Sequence, residues 1–167
     1  MARVFLGLGS NQGDRRDNLS RALQRLGRVE GIRIVQMSPV YETEPVGGPS
    51  GQSDYLNSVI EVDAALPPRA LLDAAKRIEG ELGRAPSDVR WAPRPIDIDI
   101  LLYADRVIQE PDLVIPHAEL HRRRFVLEPL AQLDPSAVHP VLGKTVAELL
   151  AEQRDQAVEP FEEPRAS

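Results

Sequence analysis

The sequence predicts an α+β fold: a ferredoxin-like βαββαβ core, an antiparallel sheet with helices on one face and the other face free for loops and ligand, and a C-terminal helical extension. Two observations predict it. Segments of strand and helix character follow one another as strand, helix, strand, strand, helix, strand. In the last of these strands Ile96, Ile98 and Ile100 alternate with Asp97 and Asp99. Period two puts the isoleucines on a core face and both carboxylates on the other.

Each element has its own signal. Arg3 to Leu8 reads as a buried strand, and the Gly- and Asn-rich stretch Gly7 to Asp14 connects it to a helix. That stretch lacks the Lys-Ser/Thr of a P-loop, and Gln12 breaks the third glycine of a dinucleotide fingerprint. Leu19, Ala22, Leu23 and Leu26 mark one face of the first helix, which stops near Gly27. Ile32 to Tyr41 is a strand weakened by Pro39. Thr43 to Ser53 carries glycines and prolines that exclude a helix or a central strand, leaving a surface connection or a lid. Tyr55 to Val62 is the next strand. Pro67 and Pro68 open a second helix with a stripe of Leu71, Ala75, Ile78 and Leu82, and Gly83 closes it. Lys76 and Glu79 share another face of that helix, as a surface ion pair would. A second long loop, Arg84 to Pro95, leads into the Asp-x-Asp strand. Asp105 and Arg106 suggest a turn, and Val114 to His117 a short extended piece. Phe125, Leu127, Leu130 and Leu133 suggest a helix broken or kinked at Pro129, and Leu142 to Leu150 a last short one. We read 1–158 as a single domain and 159–167, with two prolines and few large apolar groups, as a flexible tail.

The length of 167 residues suits one domain with a true core. There is no cysteine, hence no disulfide framework and no thiolate metal site. The apolar start Val4-Phe5-Leu6 is too short for a signal peptide or a membrane span, so a cytoplasmic protein is expected. A formal net charge of −6 opposes non-specific nucleic-acid binding. Polyphosphate remains compatible where arginines gather, and Arg84, Arg90, Arg94, Arg122, Arg123 and Arg124 flank the aspartates in the second half.

The fourteen residues from Arg90 to Tyr103 carry most of the chemistry. Asp97 and Asp99 lie roughly 7 Å apart along a strand. Such a pair repels itself unless a cation lies between, and its all-oxygen donors suit Mg²⁺. An Asp-x-Asp is most often only the wet face of a sheet. Asp is depleted in strands, however, and the sole tryptophan and two arginines precede this pair among prolines. Carboxylate-held magnesium beside arginines is what phosphoryl transfer requires. An exposed Tyr55-x-Asn57 face would add a ring to stack on and an amide that both donates and accepts.

Those residues resemble the 6-hydroxymethyl-7,8-dihydropterin pyrophosphokinase family. The signature Trp91-Ala92-Pro93-Arg94 followed by Asp97-Ile98-Asp99 is joined by Gly9-Ser10-Asn11, Tyr41-x-Thr43, Tyr55-Leu56-Asn57, Ile115-Pro116-His117 and Arg123 to Leu127, in order along nearly the whole chain. The resemblance implies transfer of a pyrophosphoryl group from ATP, the co-substrate, to the pterin hydroxymethyl oxygen, with AMP as the other product, a step of folate biosynthesis. It implies two Mg²⁺ ions on Asp97 and Asp99, and catalytic roles for Arg84, Arg94 and Asp97. It assigns Glu79, Arg84, Trp91, Arg94, Ile100, His117 and Arg123 to ATP, and Thr43, Val46, Tyr55, Asn57 and Phe125 to the pterin. Pro86, Lys76 and Ala118 depart from residues found in some relatives on the nucleotide side. A monomer is expected, with no nucleic acid or membrane partner. Two alternatives predict different outcomes: a nucleotidyltransferase would release pyrophosphate, and a non-catalytic module that binds RNA or a small regulatory ligand would turn over no ATP.

Overall fold

The computed structural model describes residues 1–43, 54–83, 95–153 and the backbone of 159–160. Strands β1 (Ala2–Ser10), β2 (Ile32–Met37), β3 (Tyr41–Thr43), β4 (Tyr55–Ala64), β5 (Asp97–Tyr103) and β8 (Glu159–Pro160) form one antiparallel sheet. Its order is β5–β1–β4–β3–β8, with β2 paired to the other half of β4. Helices α1 (Arg15–Gly27) and α2 (Pro68–Glu81) connect the strands. This is the expected βαββαβ order, with the predicted second strand split in two. The split falls at Pro39, which cannot donate to a ladder. Ser38 bridges the gap: its N–H donates to the Val59 carbonyl at 2.8 Å, and its hydroxyl accepts from the Val59 N–H at 2.9 Å.

Burial of one sheet face under α1 and α2 drives this half of the fold. Val4, Leu6, Leu8, Ile60, Val62, Ile98 and Ile100 pack there against Leu19, Ala22, Leu26, Leu71, Ala75 and Ile78. Asp14 caps α1 by accepting from the Asp17 N–H at 3.0 Å. Pro68 opens α2, and Gly83 takes a positive φ of 98° just past its end, which a side chain would disfavour.

The opposite face is not left wholly free. Strands β6 (Ile108–Glu110) and β7 (Leu113–Ile115) form a hairpin beside β5, followed by a 3-10 turn (Leu120–Arg122), α3 (Arg124–Leu133) and α4 (Val146–Glu152). From this extension Leu120, Leu127, Leu130, Val146 and Leu149 cover Phe5, Val59, Leu101 and Leu102. A bulge makes this possible: Leu6 pairs with Ile100 but Phe5 pairs with Leu102, so Leu101 is an extra residue. After Asp99, Leu101 and Leu102 therefore both face the side where the acids lie. The extra residue and its neighbours give the extension a greasy landing, and the extension does not reach the polar end of the face among the described residues.

Helix α3 runs through Pro129 without breaking; the proline only removes the N–H that would bond the Phe125 carbonyl. Helix α4 begins later than its apolar pattern suggests, at a capping box in which Thr145 and Glu148 satisfy each other's backbone. Glu159 and Pro160, expected in the flexible tail, instead pair with Glu42 and Tyr41 on the outer edge of β3.

Candidate active site

The site is built on the end of the sheet face that the described part of the extension leaves open, and its floor is glycine. On β1, Gly9 pairs with Asn57 on one side and with Asp97 on the other; Gly7 pairs with Val59 and Asp99. Directly paired residues share a face. Asn57 and Asp97 therefore stand on either side of a bare backbone, about two strand spacings or roughly 9–10 Å apart. The result is a trough, walled by an amide on β4 and two carboxylates on β5.

The β4 wall is pre-oriented. Asn57 Nδ2 donates to Thr43 Oγ1 at 2.7 Å, which fixes which end of the amide faces β3. Its Oδ1 then lies toward the floor, where a Cβ on Gly9 would come within 3.0 Å of it and within 3.7 Å of the Tyr55 ring. Thr43 and Tyr55 face each other across β3 and β4. Tyr41 is buried on the same face; burial pushes its phenol up from its ordinary value, and the Glu128 carboxylate of α3 adds to this. Tyr41 thus marks where α3 leans on β3.

On β5, Asp99 is exposed and Asp97 half-buried. Their oxygens are hard donors, and among the described residues no group of three His, Cys, Asp or Glu forms a closed cage. Two carboxylates with the remaining positions open suit an ion that keeps water and substrate phosphate as ligands, which is how Mg²⁺ is usually held. Between the aspartates, the Ile98 N–H donates to Glu79 Oε2 at 2.8 Å. Glu79 is only 4% exposed, so it is not the surface residue that its spacing from Lys76 suggests. The carboxylate instead ties α2 to β5 between the two acids.

Beyond Asp99 lies His117. Its N–H donates to the Leu101 carbonyl at 3.0 Å, which carries the residue to the edge of β5. Its Nδ1 accepts from the Glu119 N–H at 3.2 Å, so a neutral ring carries its proton on Nε2. Burial holds His117 below its ordinary value, Asp99 opposes this, and the Arg123 guanidinium lowers it further. His117, Asp99 and Arg123 are therefore electrostatic neighbours. Arg123 also lies over the Phe125 ring at 5.6 Å, joining a cation to a stacking surface at the start of α3.

The structure thus brings Thr43, Tyr55, Asn57, Asp97, Asp99, His117 and Arg123 to one end of one face, with Phe125 beside Arg123. Ile100 is 6% exposed and its side chain lies under the helices, so only its backbone is available to a ligand. Val46, Arg84, Trp91 and Arg94 lie outside the described residues. Sequence reasoning missed the glycine floor. Its signal was present as the alternation Gly7-Leu8-Gly9, glycine on one face and leucine on the other, hidden by reading the stretch as a turn.

Residues 5–135 match the family model described as 7,8-dihydro-6-hydroxymethylpterin-pyrophosphokinase. The chain belongs to this family. A pyrophosphokinase of Methylorubrum extorquens, 2-amino-4-hydroxy-6-hydroxymethyldihydropteridine pyrophosphokinase, is 41% identical over 97% of this chain and all of that protein. The protein of the same description in Pseudomonas aeruginosa is 42% identical, over 89% of this chain and 90% of its own length. The family domain also occurs within longer chains: the Folic acid synthesis protein fol1 of Schizosaccharomyces pombe is 40% identical over 93% of this chain, which spans 21% of it. The crystal structure of Plasmodium falciparum HPPK-DHPS A437G with STZ-DHP matches with a TM-score of 0.71 over 90% of this chain and 45% of that one; at 16% identity it supports the fold.

Proposed function

We propose that the glycine-floored trough holds the pterin between the Asn57–Thr43 pair and the Asp97–Asp99 pair, and that two Mg²⁺ ions on those aspartates hold the triphosphate of ATP. The activity follows from the family: the chain is an ATP-dependent pyrophosphokinase of folate biosynthesis, acting on 6-hydroxymethyl-7,8-dihydropterin. In that reaction the pterin hydroxyl oxygen bonds to the β-phosphorus of ATP, the bond from that phosphorus to the oxygen bridging it to the α-phosphorus breaks, and AMP leaves with that oxygen. The hydroxyl proton is released.

The observation that carries the site assignment is the trough itself. A flat heterocycle needs a floor without side chains and an edge that matches its donors and acceptors. Asn57 presents Oδ1 toward the floor because Thr43 holds Nδ2. Tyr55 and Phe125 bracket the ring, and backbone near Val46 completes the edge. Asp97, one strand across from the floor, lies beside the reacting hydroxyl. Bound magnesium would neutralise charge on the phosphates as it shifts to the leaving AMP. His117 offers Nε2–H, and Arg123 its guanidinium, to phosphate oxygens beyond Asp99. Arg84 and Arg94 add charge to the transferring group, and Trp91 and the Ile100 backbone contact the nucleotide. Glu79 acts on ATP through β5, by holding the Ile98 N–H. No side chain need serve as nucleophile, because positioning and electrostatics provide most of the catalysis in such transfers.

Among the described residues no helix is long and apolar enough to cross a membrane. We propose a cytoplasmic monomer. The test of function is incubation with ATP, Mg²⁺ and 6-hydroxymethyl-7,8-dihydropterin. AMP and the pterin diphosphate are expected; release of inorganic pyrophosphate would instead identify nucleotidyl transfer, and turnover unaffected by loss of Asn57 would refute the trough.

A further inference from the structure

We propose that Arg15 is a positioning residue for the pterin, acting from behind the sheet; this rests on the assignment of Thr43, Tyr55 and Asn57 to that substrate. Arg15 is the first residue of α1. Its Nη1 lies 2.9 Å from Glu42 Oε2 and donates to the Asp54 carbonyl at 2.7 Å. Glu42 precedes Thr43, and Asp54 precedes Tyr55. One guanidinium therefore joins the two points of chain from which the ring-binding residues extend.

The geometry separates Arg15 from direct contact. Glu42 pairs with Leu56, whose side chain lies in the core under α1 and α2, so Glu42 points to the helix face. Thr43 and Tyr55 point the other way. Strand β3 is only three residues long and Thr43 is its last, the position where a short ladder is held least. A half-buried, charge-assisted bond at that point is stronger than an exposed one. Both bonds leave one nitrogen, Nη1, whose two N–H directions are fixed in the guanidinium plane, whereas a lysine ammonium is a point charge on a flexible stem. Release of Arg15 would loosen Thr43, and with it the 2.7 Å bond that sets the Asn57 amide. Asp97, Asp99 and His117 extend from β5 and the segment after β7 and would be spared.

The test uses the full chain with Arg15→Met, Arg15→Lys, Glu42→Gln and the double variant Arg15→Met/Glu42→Gln. Calorimetry gives the affinity for a non-hydrolysable ATP analogue with Mg²⁺, then for 6-hydroxymethyl-7,8-dihydropterin with that analogue present. Amide hydrogen exchange is read at Tyr55 and Asn57 and at the distant β1–β4 rungs. Arg15→Met should weaken pterin binding about tenfold while nucleotide affinity stays within about twofold. Exchange at Tyr55 and Asn57 should quicken relative to the distant rungs. Arg15→Lys should recover part of the loss, and the double variant should be no worse than Arg15→Met alone. Equal loss of both ligands, or pterin affinity within about twofold of wild type, overturns the proposal whatever the exchange shows. Failure of the wild-type chain to bind pterin would refute the trough assignment and this proposal's substrate with it; unchanged exchange in Arg15→Met would refute the clamp separately.

Discussion

Gly9→Ala tests the trough at its floor. A Cβ there would meet Asn57 Oδ1 at 3.0 Å, Tyr55 Cδ1 at 3.7 Å and the Leu56 carbonyl at 3.9 Å. The last two are ordinary contacts, so the amide alone must give, by a few tenths of an ångström. It is not free to give, because Nδ2 is held 2.7 Å from Thr43 Oγ1. Either that bond lengthens or the Asn57 side chain leaves its rotamer, at about 0.5–1.5 kcal/mol. An amide edge that no longer matches the ring costs about 1–3 kcal/mol of binding, or about tenfold to a hundredfold in pterin affinity. Stability should move the other way: Ala in an extended strand is favoured over Gly by about 0.5–1 kcal/mol, which offsets the strain. Nucleotide affinity should hold, since the nearest polar atom to the new methyl lies on the β4 side. Calorimetric titration of both ligands and a thermal midpoint measure all three quantities. Gly7→Ala is the internal control: the three atoms nearest its Cβ all belong to the Leu101 side chain, at 3.4–3.6 Å, and it should cost little. Pterin affinity within about twofold of wild type in Gly9→Ala, or an equal loss in Gly7→Ala, would refute the reasoning.

Asp97→Asn and Asp99→Asn should each lower turnover on the order of a hundredfold or more, with secondary structure retained; near wild-type rates in both at saturating Mg²⁺ would end the two-ion reading. Glu79→Ala leaves the buried Ile98 N–H without its carboxylate and should lower stability by about 1–3 kcal/mol in chemical denaturation, with Glu79→Gln milder because the amide oxygen still accepts. His139 gives a pH dependence. It is buried, its Nδ1 accepts from the Val141 and Leu142 N–H groups at 3.2 and 3.1 Å, and burial, then His121, hold it below the ordinary value of 6.5. The unfolded chain binds the proton more readily, so this contribution is complete above about pH 6.5 and is lost as pH falls through the folded value. Thermal midpoints from pH 8 to 5 should fall less steeply in His139→Asn than in the wild type; parallel curves would exclude the residue as a source.

Much of the site was legible because its chemistry is local. Asp97 and Asp99 alternate with isoleucines in five consecutive residues, and the structure puts them on the face that alternation assigns. Helices α1 and α2 were legible for the same reason: apolar periodicity with clear stops at Gly27 and Gly83. What sequence did not reveal depends on partners far along the chain. The three residues of β3 are too few for a pattern, and their role follows from pairing with β4. Glu79 reads as a surface residue because its partner, the Ile98 N–H, is nineteen positions away. The bulge at Leu101 has no signature of its own, since Leu101-Leu102-Tyr103 reads as an unbroken apolar run.

That bulge sets the boundary of the proposed trough. Without it, β5 would continue its alternation after Asp99, and only every second residue would face the C-terminal extension. With it, Leu101 and Leu102 both join Phe5 and Val59 beneath α3 and α4. Helix α3 lands there and brings Arg123 and Phe125 to the boundary between the covered and uncovered halves. The next segment along β5, around His117, is held by the Leu101 carbonyl itself. A single extra residue therefore ends the acidic strand, seats the helix that carries a cation and an aromatic ring, and anchors the histidine. Burial of apolar surface on one half of the face places charge at the edge of the other. Deleting Leu101 would leave Leu102 opposite Phe5 and Tyr103 opposite Val4 in an unbroken ladder, but would take one apolar side chain from beneath the extension and change the backbone that holds the His117 N–H. The structure then predicts weaker packing of the extension together with displacement of His117 and Arg123, the proposed phosphate ligands, a coupling that separate point changes at those two residues would not produce.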